Sequence, residues 1–292
     1  VGLGPIANGG YNPKLITDSE AEAPPTSCSG GWMETWLFFN DHHLAPPVTF
    51  DDASLGAMNV MAGLNTLVLS GDFSGGFSLT SLPADIEQLG VGRGHDYVVA
   101  SGDDLVGAGE SLLVEAVLLG AANHILFDGR AETDGRFVFS GGGSNDTFYG
   151  GAGNDVLRGL GGGDALSGGG GADIFRYLTA GDSTGPDYDR LADFSPAVDF
   201  IDLPVAIAGF AAAVATGTLS AASFNADLGA AARNLAAGQA FWFAPNAGDL
   251  AGQIFLVADG NGQAGYQAGE DYVFAIGGSS LADLTPHSGF FI

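Results

Sequence analysis

Apolar and polar positions fall into two rhythms along the chain. Between about Met58 and Ser140 short runs of β-branched, aromatic and leucine residues recur: LNTLVLSG, FSLTSL, HDYVVASG, LLVEAVLL, HILFDG and RFVFSG. Most are bounded by Gly, Asp or Asn, and their modest alternation predicts short strands with one interior face. From Gly141 the rhythm tightens to one large apolar residue in every nine, namely Phe148, Leu157, Leu166 and Phe175. Each stands two places after an aspartate, Asp146, Asp155, Asp164 and Asp173, in the steps GGGSNDTFY, GGAGNDVLR, GLGGGDALS and GGGGADIFR. Farther on, residues 205 to 240 are alanine-rich and predict one or two short helices around SAASFNADLGAAARNLA, and FWFAP, GQIFLVAD and DYVFAIGG predict strands joined by turns.

The nine-residue step follows G-G-x-G-x-D-x-U-x, the pattern of a calcium-binding parallel β-helix with U a large apolar residue. The second and fourth steps match at every fixed position; the first has Ser144 for the fourth-place glycine and the third has Leu160 for the second-place one. Glycines let the backbone bend with positive φ and bring carbonyls close to one point, and the aspartate adds a hard anionic oxygen, a donor set that suits calcium. A flexible glycine-rich linker would show neither a fixed aspartate spacing nor an apolar beat. Two nonapeptides make one coil, which places Asp146 near Asp164 and Asp155 near Asp173. A calcium ion between stacked turns would then be shared by two carboxylates, with carbonyls of Gly142, Gly151, Gly153, Gly162, Gly169 and Gly171 and the turn residues Ser144 and Asn154 around it.

On these steps the chain resembles the RTX (repeats-in-toxin) family, in particular the serralysin-type C-terminal β-roll module. The resemblance implies calcium ions as cofactors, and export by the type I route, whose address lies at the C-terminus. The piece after the last repeat is similar to the family's closing segment DS…DRxxDFxxxxDxIDL, at Asp182, Asp189, Arg190, Asp193, Phe194, Asp199, Ile201 and Asp202. Asp182 and Asp189 enter the candidate ligand set on that basis, whereas Asp193 and Asp202 read better as caps of turns. The apolar end SGFFI is of the sort such export signals show.

The expected fold class is therefore all-β: a parallel β-roll or β-solenoid with calcium-binding nonapeptide turns, closed by a C-terminal cap of strands and short helices. Residues 1–55, broken by Pro24, Pro25, Pro46 and Pro47, read as an irregular N-terminal attachment segment. Residues 56–140 read as degenerate coils of the same solenoid, 141–176 as the repeat block, and 177–292 as the capping and secretion-type region, since an open apolar end requires a cap.

Charge sharpens this picture. The chain has 34 acidic against 8 basic residues, a formal net charge of −26. Self-repulsion on that scale loosens a compact state unless cations neutralise it, and it argues against nucleic acid and anionic membrane surfaces as partners. Cys28 is the single cysteine, which excludes an internal disulfide and leaves metal as the staple. The longest weakly apolar run, 204–215, falls short of the roughly 20 residues that cross a bilayer, so membrane insertion is not expected. The opening VGLGPIANGG has no basic stretch or long apolar run, in keeping with export without an N-terminal signal peptide.

Other candidates are weaker. VGRGHDYVV fits the nonapeptide with Val91 in the first place and makes Asp96 a further calcium candidate. Asp259, Asn261, Gln263, Gly265, Gln267 and Glu270 fall on EF-hand ligand positions, but Ala264 replaces the required glycine and no helices flank the loop. His42 and His43 are adjacent, so on a strand they point to opposite faces and chelate poorly. GDSTG at 181–185 fits G-x-S-x-G without the strand, helix and partner histidine that a nucleophile elbow needs. No HExxH and no phosphate-binding loop is present.

These readings predict a non-enzymatic, calcium-dependent extracellular or cell-surface protein, structural or adhesive. Its further partners would be protein subunits of a surface, appendage or virion assembly. The alternative is the C-terminal export and folding module of a type I-secreted protease, lipase or epimerase whose catalytic domain lies outside this chain.

Overall fold

The computed structural model describes residues 36–41, 48–50, 65–80, 82, 86–284 and 289–292. Short β-prone runs separated by tight turns cannot bury a face alone, and the chain solves this by winding. It visits two parallel sheets in turn, one strand in each per coil. The first sheet stacks β1 (Trp36–Asp41), β3 (Asn65–Gly71), β5 (Ile86–Val91), β7 (Ser111–Glu115), β9 (Arg136–Ser140), β11 (Val156–Arg158), β13 (Ile174–Arg176) and β15 (Phe200–Asp202). The second stacks β2 (Val48–Phe50), β4 (Phe73–Leu79), β6 (Tyr97–Ser101), β8 (Ile125–Asp128), β10 (Thr147–Tyr149), β12 (Ala165–Ser167) and β14 (Asp189–Leu191). The product is a parallel β-roll, not a closed barrel.

Register turns the apolar beat into a continuous core. In the first sheet Leu67, Leu89, Val114, Phe139, Leu157, Phe175 and Ile201 stand in one column; in the second, Phe77, Val99, Phe127, Phe148, Leu166, Leu191 and Ile276 do. All are buried, and the columns face each other in a single cluster. Within the repeats Thr147 pairs with Ala165 and Val156 with Ile174, so two nonapeptides close one coil. The preceding coil is looser, with 21 residues separating the bonded Ile125 and Asp146. It fills its extra width with aromatics: Phe139 stacks on Phe148 at 4.8 Å, beside Phe127 and Phe137.

At the far end β16 (Gly209–Phe210), β17 (Gln239–Phe243), β18 (Ile254–Ala258) and β19 (Tyr272–Ile276) extend the second sheet, β19 pairing parallel to β14 and antiparallel to β18. Helix α1 (Phe224–Ala231) and its flanks cover the outer face of this extension with a second cluster that includes Phe224, Leu228, Phe241, Phe255 and Val273. With β19 and its antiparallel partner β18 on the free edge of β14, the place where another coil would pair is taken, and the solenoid stops. The chain end closes the other sheet. Ile201 N–H donates to Phe290 O (2.8 Å) and Ile292 N–H to Ile201 O (3.1 Å), while the Phe290 ring packs among Phe194, Phe210 and Trp242. The apolar end 289–292 thus adds a rung to the core at Phe290.

Several elements differ from the sequence expectation. β1 and β2 place two rungs inside the stretch 1–55 read as irregular; the remaining expectations for that stretch, His42 and His43 included, lie outside the described residues. β14 and β15 carry both sheets past Arg176, so the solenoid overruns the boundary set at 176. LLVEAVLL is not one strand. β7 ends at Glu115, and a turn closed by Leu119 N–H to Ala116 O (2.8 Å) throws Val117 and Leu118 outward while Leu119 tucks under. No helix among the described residues is long and apolar enough to cross a membrane.

Candidate metal centre

The turns set the aspartates into two ladders, one along each edge of the roll. On the first, Asp189 Oδ1 accepts the Asp164 N–H (2.8 Å), Asp164 Oδ1 the Asp146 N–H (2.7 Å), and Asp146 Oδ1 the Ile125 N–H (2.9 Å). On the second, Asp199 Oδ1 accepts the Asp173 N–H (3.1 Å), Asp173 Oδ1 the Asp155 N–H (2.8 Å), and Asp155 Oδ1 the Phe137 N–H (2.6 Å). Each carboxyl therefore ties its own coil to the one before it, and the structure brings together Asp146 with Asp164 and Asp155 with Asp173. All are buried.

Removal from water dominates their electrostatics. Burial pushes the Asp155 carboxyl up to about 6 and Asp173 up to about 7, with backbone N–H donors pulling back and neighbouring carboxylates adding to the rise. Asp146 and Asp199 are raised for the same reason. Asp164 and Asp189, a tightly coupled pair, are both raised, first by burial.

The turn backbone fits the candidate ligand residues closely. Gly142 and Gly151 N–H donate to Asp146 Oδ2 (2.6 Å) and Asp155 Oδ2 (2.8 Å) of their own turns. Their carbonyls accept the Gly161 N–H (3.1 Å) and the Gly170 N–H (2.9 Å) of the next coil. Gly162, Gly169 and Gly171 take φ of 112°, 92° and 106°, and added side chains there would strike the coil beneath, at Ser144 O, Gly151 O and Gly153 O. Asn154 Oδ1 accepts the Ala172 N–H (2.8 Å), and the Ser144 hydroxyl donates to Asn123 O.

Leu160 is the exception. It holds the second place of the third repeat at φ 72°, the one non-glycine residue with positive φ among those described. A left-handed leucine costs about 1–2 kcal/mol, and glycine's greater freedom in the unfolded chain offsets roughly half of that. Leu160→Gly is therefore expected to raise the urea midpoint in saturating calcium by the equivalent of about 0.5–1 kcal/mol. An unchanged or lower midpoint would count against the strain.

Away from the ladders the candidates separate. Asp96 is partly exposed and accepts N–H groups from the following coil, at His124 (3.0 Å) and Asn123 Nδ2 (3.2 Å), so it lies outside the ladder. Asp182 caps a 3₁₀ turn, accepting the Leu178 N–H (2.9 Å) and the Thr179 hydroxyl (2.8 Å). Asp193 accepts from Gly168, Gly169 and Ser167, and Asp202 pairs with Arg176. Asp259, Asn261 and Glu270 share one loop, but Asp259 is spent on the N–H groups of Asn261, Gly262 and Gly238, and Asn261 Nδ2 donates to Glu270. Ser183 of GDSTG is fully buried; its hydroxyl donates to Val273 O (2.6 Å) and accepts the Asp189 N–H (2.8 Å).

Three polar residues escaped sequence reasoning, and a fourth, Asp199, entered it only as part of the closing segment. Asp199 ends the second ladder, 26 residues from Asp173 and so out of the nine-residue step. Glu132, fully buried, accepts the N–H groups of Val106, Asp134 and Gly135 and does an aspartate's work one coil earlier. Asn145 mirrors Asn154, accepting the Gly163 N–H (3.0 Å), a likeness visible in the repeat register. Asp271, not Glu270, joins Asp259 as a buried acid of the 259–271 loop, and burial raises it to about 6.

The donor chemistry fits calcium. Among the described residues no three His, Cys, Asp or Glu side chains converge as a ready cage; the acids come in pairs, which leaves carbonyls and hydroxyls to complete a hard oxygen shell. Two of the buried carboxylate oxygens, Asp164 Oδ2 and Asp189 Oδ2, have no hydrogen-bond partner. A Cβ on Gly141, Gly150, Gly159 or Gly168 would fall within 2.6 Å of its own turn's aspartate oxygen, so those first-place glycines keep a cradle open.

Comparison with protein families matches residues 140–175 to the RTX calcium-binding nonapeptide repeat, in four copies. Comparison with curated proteins returns no match.

Proposed function

The chain belongs, through residues 140–175, to the proteins built on RTX calcium-binding nonapeptide repeats, and from that premise we propose that calcium is what makes its β-roll fold, as an extracellular structural or adhesive element. The observation that carries this reading is the pair of buried aspartate ladders. At neutral pH these carboxyls are caught between ionising in a dry interior and holding protons that water would strip, and a divalent ion removes the conflict. The net charge of −26 adds to it, since bound cations offset the self-repulsion of the rod.

In this reading Asp146, Asp155, Asp164 and Asp173 supply anionic oxygens, the glycine turns supply carbonyls, and folding follows the calcium concentration, with affinities near ~10⁻⁴ to 10⁻³ M as in extracellular modules. The rod then serves as a stiff spacer within a larger surface, appendage or virion assembly and performs no catalysis itself. Ser183 supports that last point, because its hydroxyl is locked between two backbone groups.

Far-UV circular dichroism tests the switch. The chain at pH 7.5 is expected to lose most of its β signal in excess chelator and to regain it on adding millimolar calcium. A β signal indifferent to chelator would sink the reading.

A further inference from the structure

Where the first ladder meets the cap, three oxygens are buried without a well-formed hydrogen bond, Asp164 Oδ2, Asp189 Oδ2 and Tyr177 Oη, the Tyr177 hydroxyl making only a weak approach to the Asp189 carboxyl. For Asp164 the cause is local. In the first two repeats the second-place N–H satisfies the aspartate's outer oxygen, from Gly142 to Asp146 and from Gly151 to Asp155. The third repeat has the left-handed Leu160 there, and Asp164 Oδ2 is left bare.

The next turn on that edge is not a nonapeptide. Tyr177 stands nine residues after Gly168, where the next first-place glycine would be. Its ring turns inward against Phe274 (centroids 4.8 Å apart) and Tyr272 (6.3 Å), and its hydroxyl lies beside the Asp189 carboxyl. Asp189 Oδ1 is spent on the Asp164 N–H, which leaves its Oδ2 to the hydroxyl or to a ligand. Asp182 adds negative potential at both carboxyls. Two buried carboxylates, one with an oxygen that nothing satisfies, and a phenol held only weakly by the other carboxylate are a hard-oxygen ligand set for a divalent cation.

We propose that Asp164, Asp189 and Tyr177 form a calcium site at the junction of roll and cap, and that this site, at a repeat that departs from the nonapeptide, is the tightest in the chain. The inference rests on the calcium reading above and deepens it. Each element of the junction is bolted to the site. Asp189 opens β14, which pairs with β19; Ser183 Oγ holds the Asp189 N–H and donates to Val273 O; and the Val273 N–H donates to Ser183 O (3.0 Å). An ion there fastens β19, and with it the C-terminal hairpins, to the last RTX repeats. Repeats one and two already satisfy both aspartate oxygens with backbone donors, so an ion gains less by entering them.

The test is calorimetric titration of calcium into the full chain, stripped of metal, combined with amide hydrogen exchange in calcium. Asp189→Asn is expected to remove one ion from the stoichiometry, or to weaken the tightest step by ~100-fold, the loss typical of a crippled metal site. Exchange over 272–276 should quicken on the order of 10-fold or more as the stabilisation by bound ion is lost, while 147–149 stays protected. Tyr177→Phe, which keeps the ring packing, is expected to weaken only the tightest step, by about 10-fold, and stands in should Asp189→Asn fail to fold. A wild-type chain that takes up no calcium overturns both this site and the function proposed above. Wild-type uptake with Asp189→Asn or Tyr177→Phe titrating identically overturns the junction site alone.

Discussion

Stripped of calcium, the chain is expected to be more stable at pH 5 than at pH 8, the reverse of most acid-rich proteins. The sign follows from where the protons sit. Unfolded, these aspartates titrate near ~4; folded, Asp155 holds its proton to about 6 and Asp173 to about 7, with Asp146, Asp164, Asp189 and Asp199 also raised. Across the window from ~4 to ~7 the folded state binds more protons than the unfolded one, so stability is present in full below it and lost as pH rises through it, at up to about 1.4 kcal/mol per pH unit for each group. Calcium inverts the trend, because it takes ionised carboxylates and binds more tightly as protons leave. Thermal melts at pH 5, 6, 7 and 8 check this. Midpoints in metal-free buffer should fall steadily, and those in millimolar calcium should hold or rise. General charge repulsion pushes the metal-free midpoints the same way, and Asp173→Asn separates the two, since it should flatten the fall between pH 5 and 7 in particular. Metal-free midpoints that climb with pH would show that these carboxyls ionise freely in the fold.

How far the sequence discloses this molecule depends on whether a residue's role is set by its neighbours along the chain or by its neighbours in space. The repeat block is legible because its own nine residues build each turn: glycines bend, the aspartate closes the bend, and the apolar residue two places on must point inward. The stacking of Asp146 on Asp164 follows from counting alone. Asp199 and Glu132 resist counting, since their coils close with 26-residue and irregular loops and only the stacked amides reveal what they do. β1 and β2 lie amid prolines and gain their strand character from β3 and β4 alongside. Phe290 is the sharpest case. Its apolar surroundings resemble an export signal, and nothing local says that Ile201 lies waiting to pair with that segment. The Asp164, Asp189 and Tyr177 cluster is illegible for the same reason, being assembled from three turns of unequal length.

Gly150→Ala is expected to be among the most damaging single-methyl changes in the repeat block, costing about 3 kcal/mol. The position tolerates no side chain because two things already occupy the space. A Cβ there would lie 2.2 Å from Asp155 Oδ2 and 2.2 Å from Gly168 O, the first a carboxyl pinned by the Gly151 and Phe137 N–H groups, the second the backbone of the next coil. Neither can yield alone. Moving Asp155 breaks the ladder bond to Phe137, and moving Gly168 breaks the Gly168 bonds to Asp193 and the Gly150 N–H bond to Ser167 O (2.8 Å). The damage therefore reaches calcium as well as packing: the displaced Asp155 oxygen is one of the proposed ligands, so affinity should fall along with the urea midpoint. Gly120→Ala is the matched control, because a Cβ at that turn meets nothing within 4 Å, and its midpoint should stay within about 0.5 kcal/mol of wild type. Equal midpoints for the two variants in saturating calcium would mean that the first-place glycine is kept for the flexibility of its backbone, and that the aspartate above it is free to move aside.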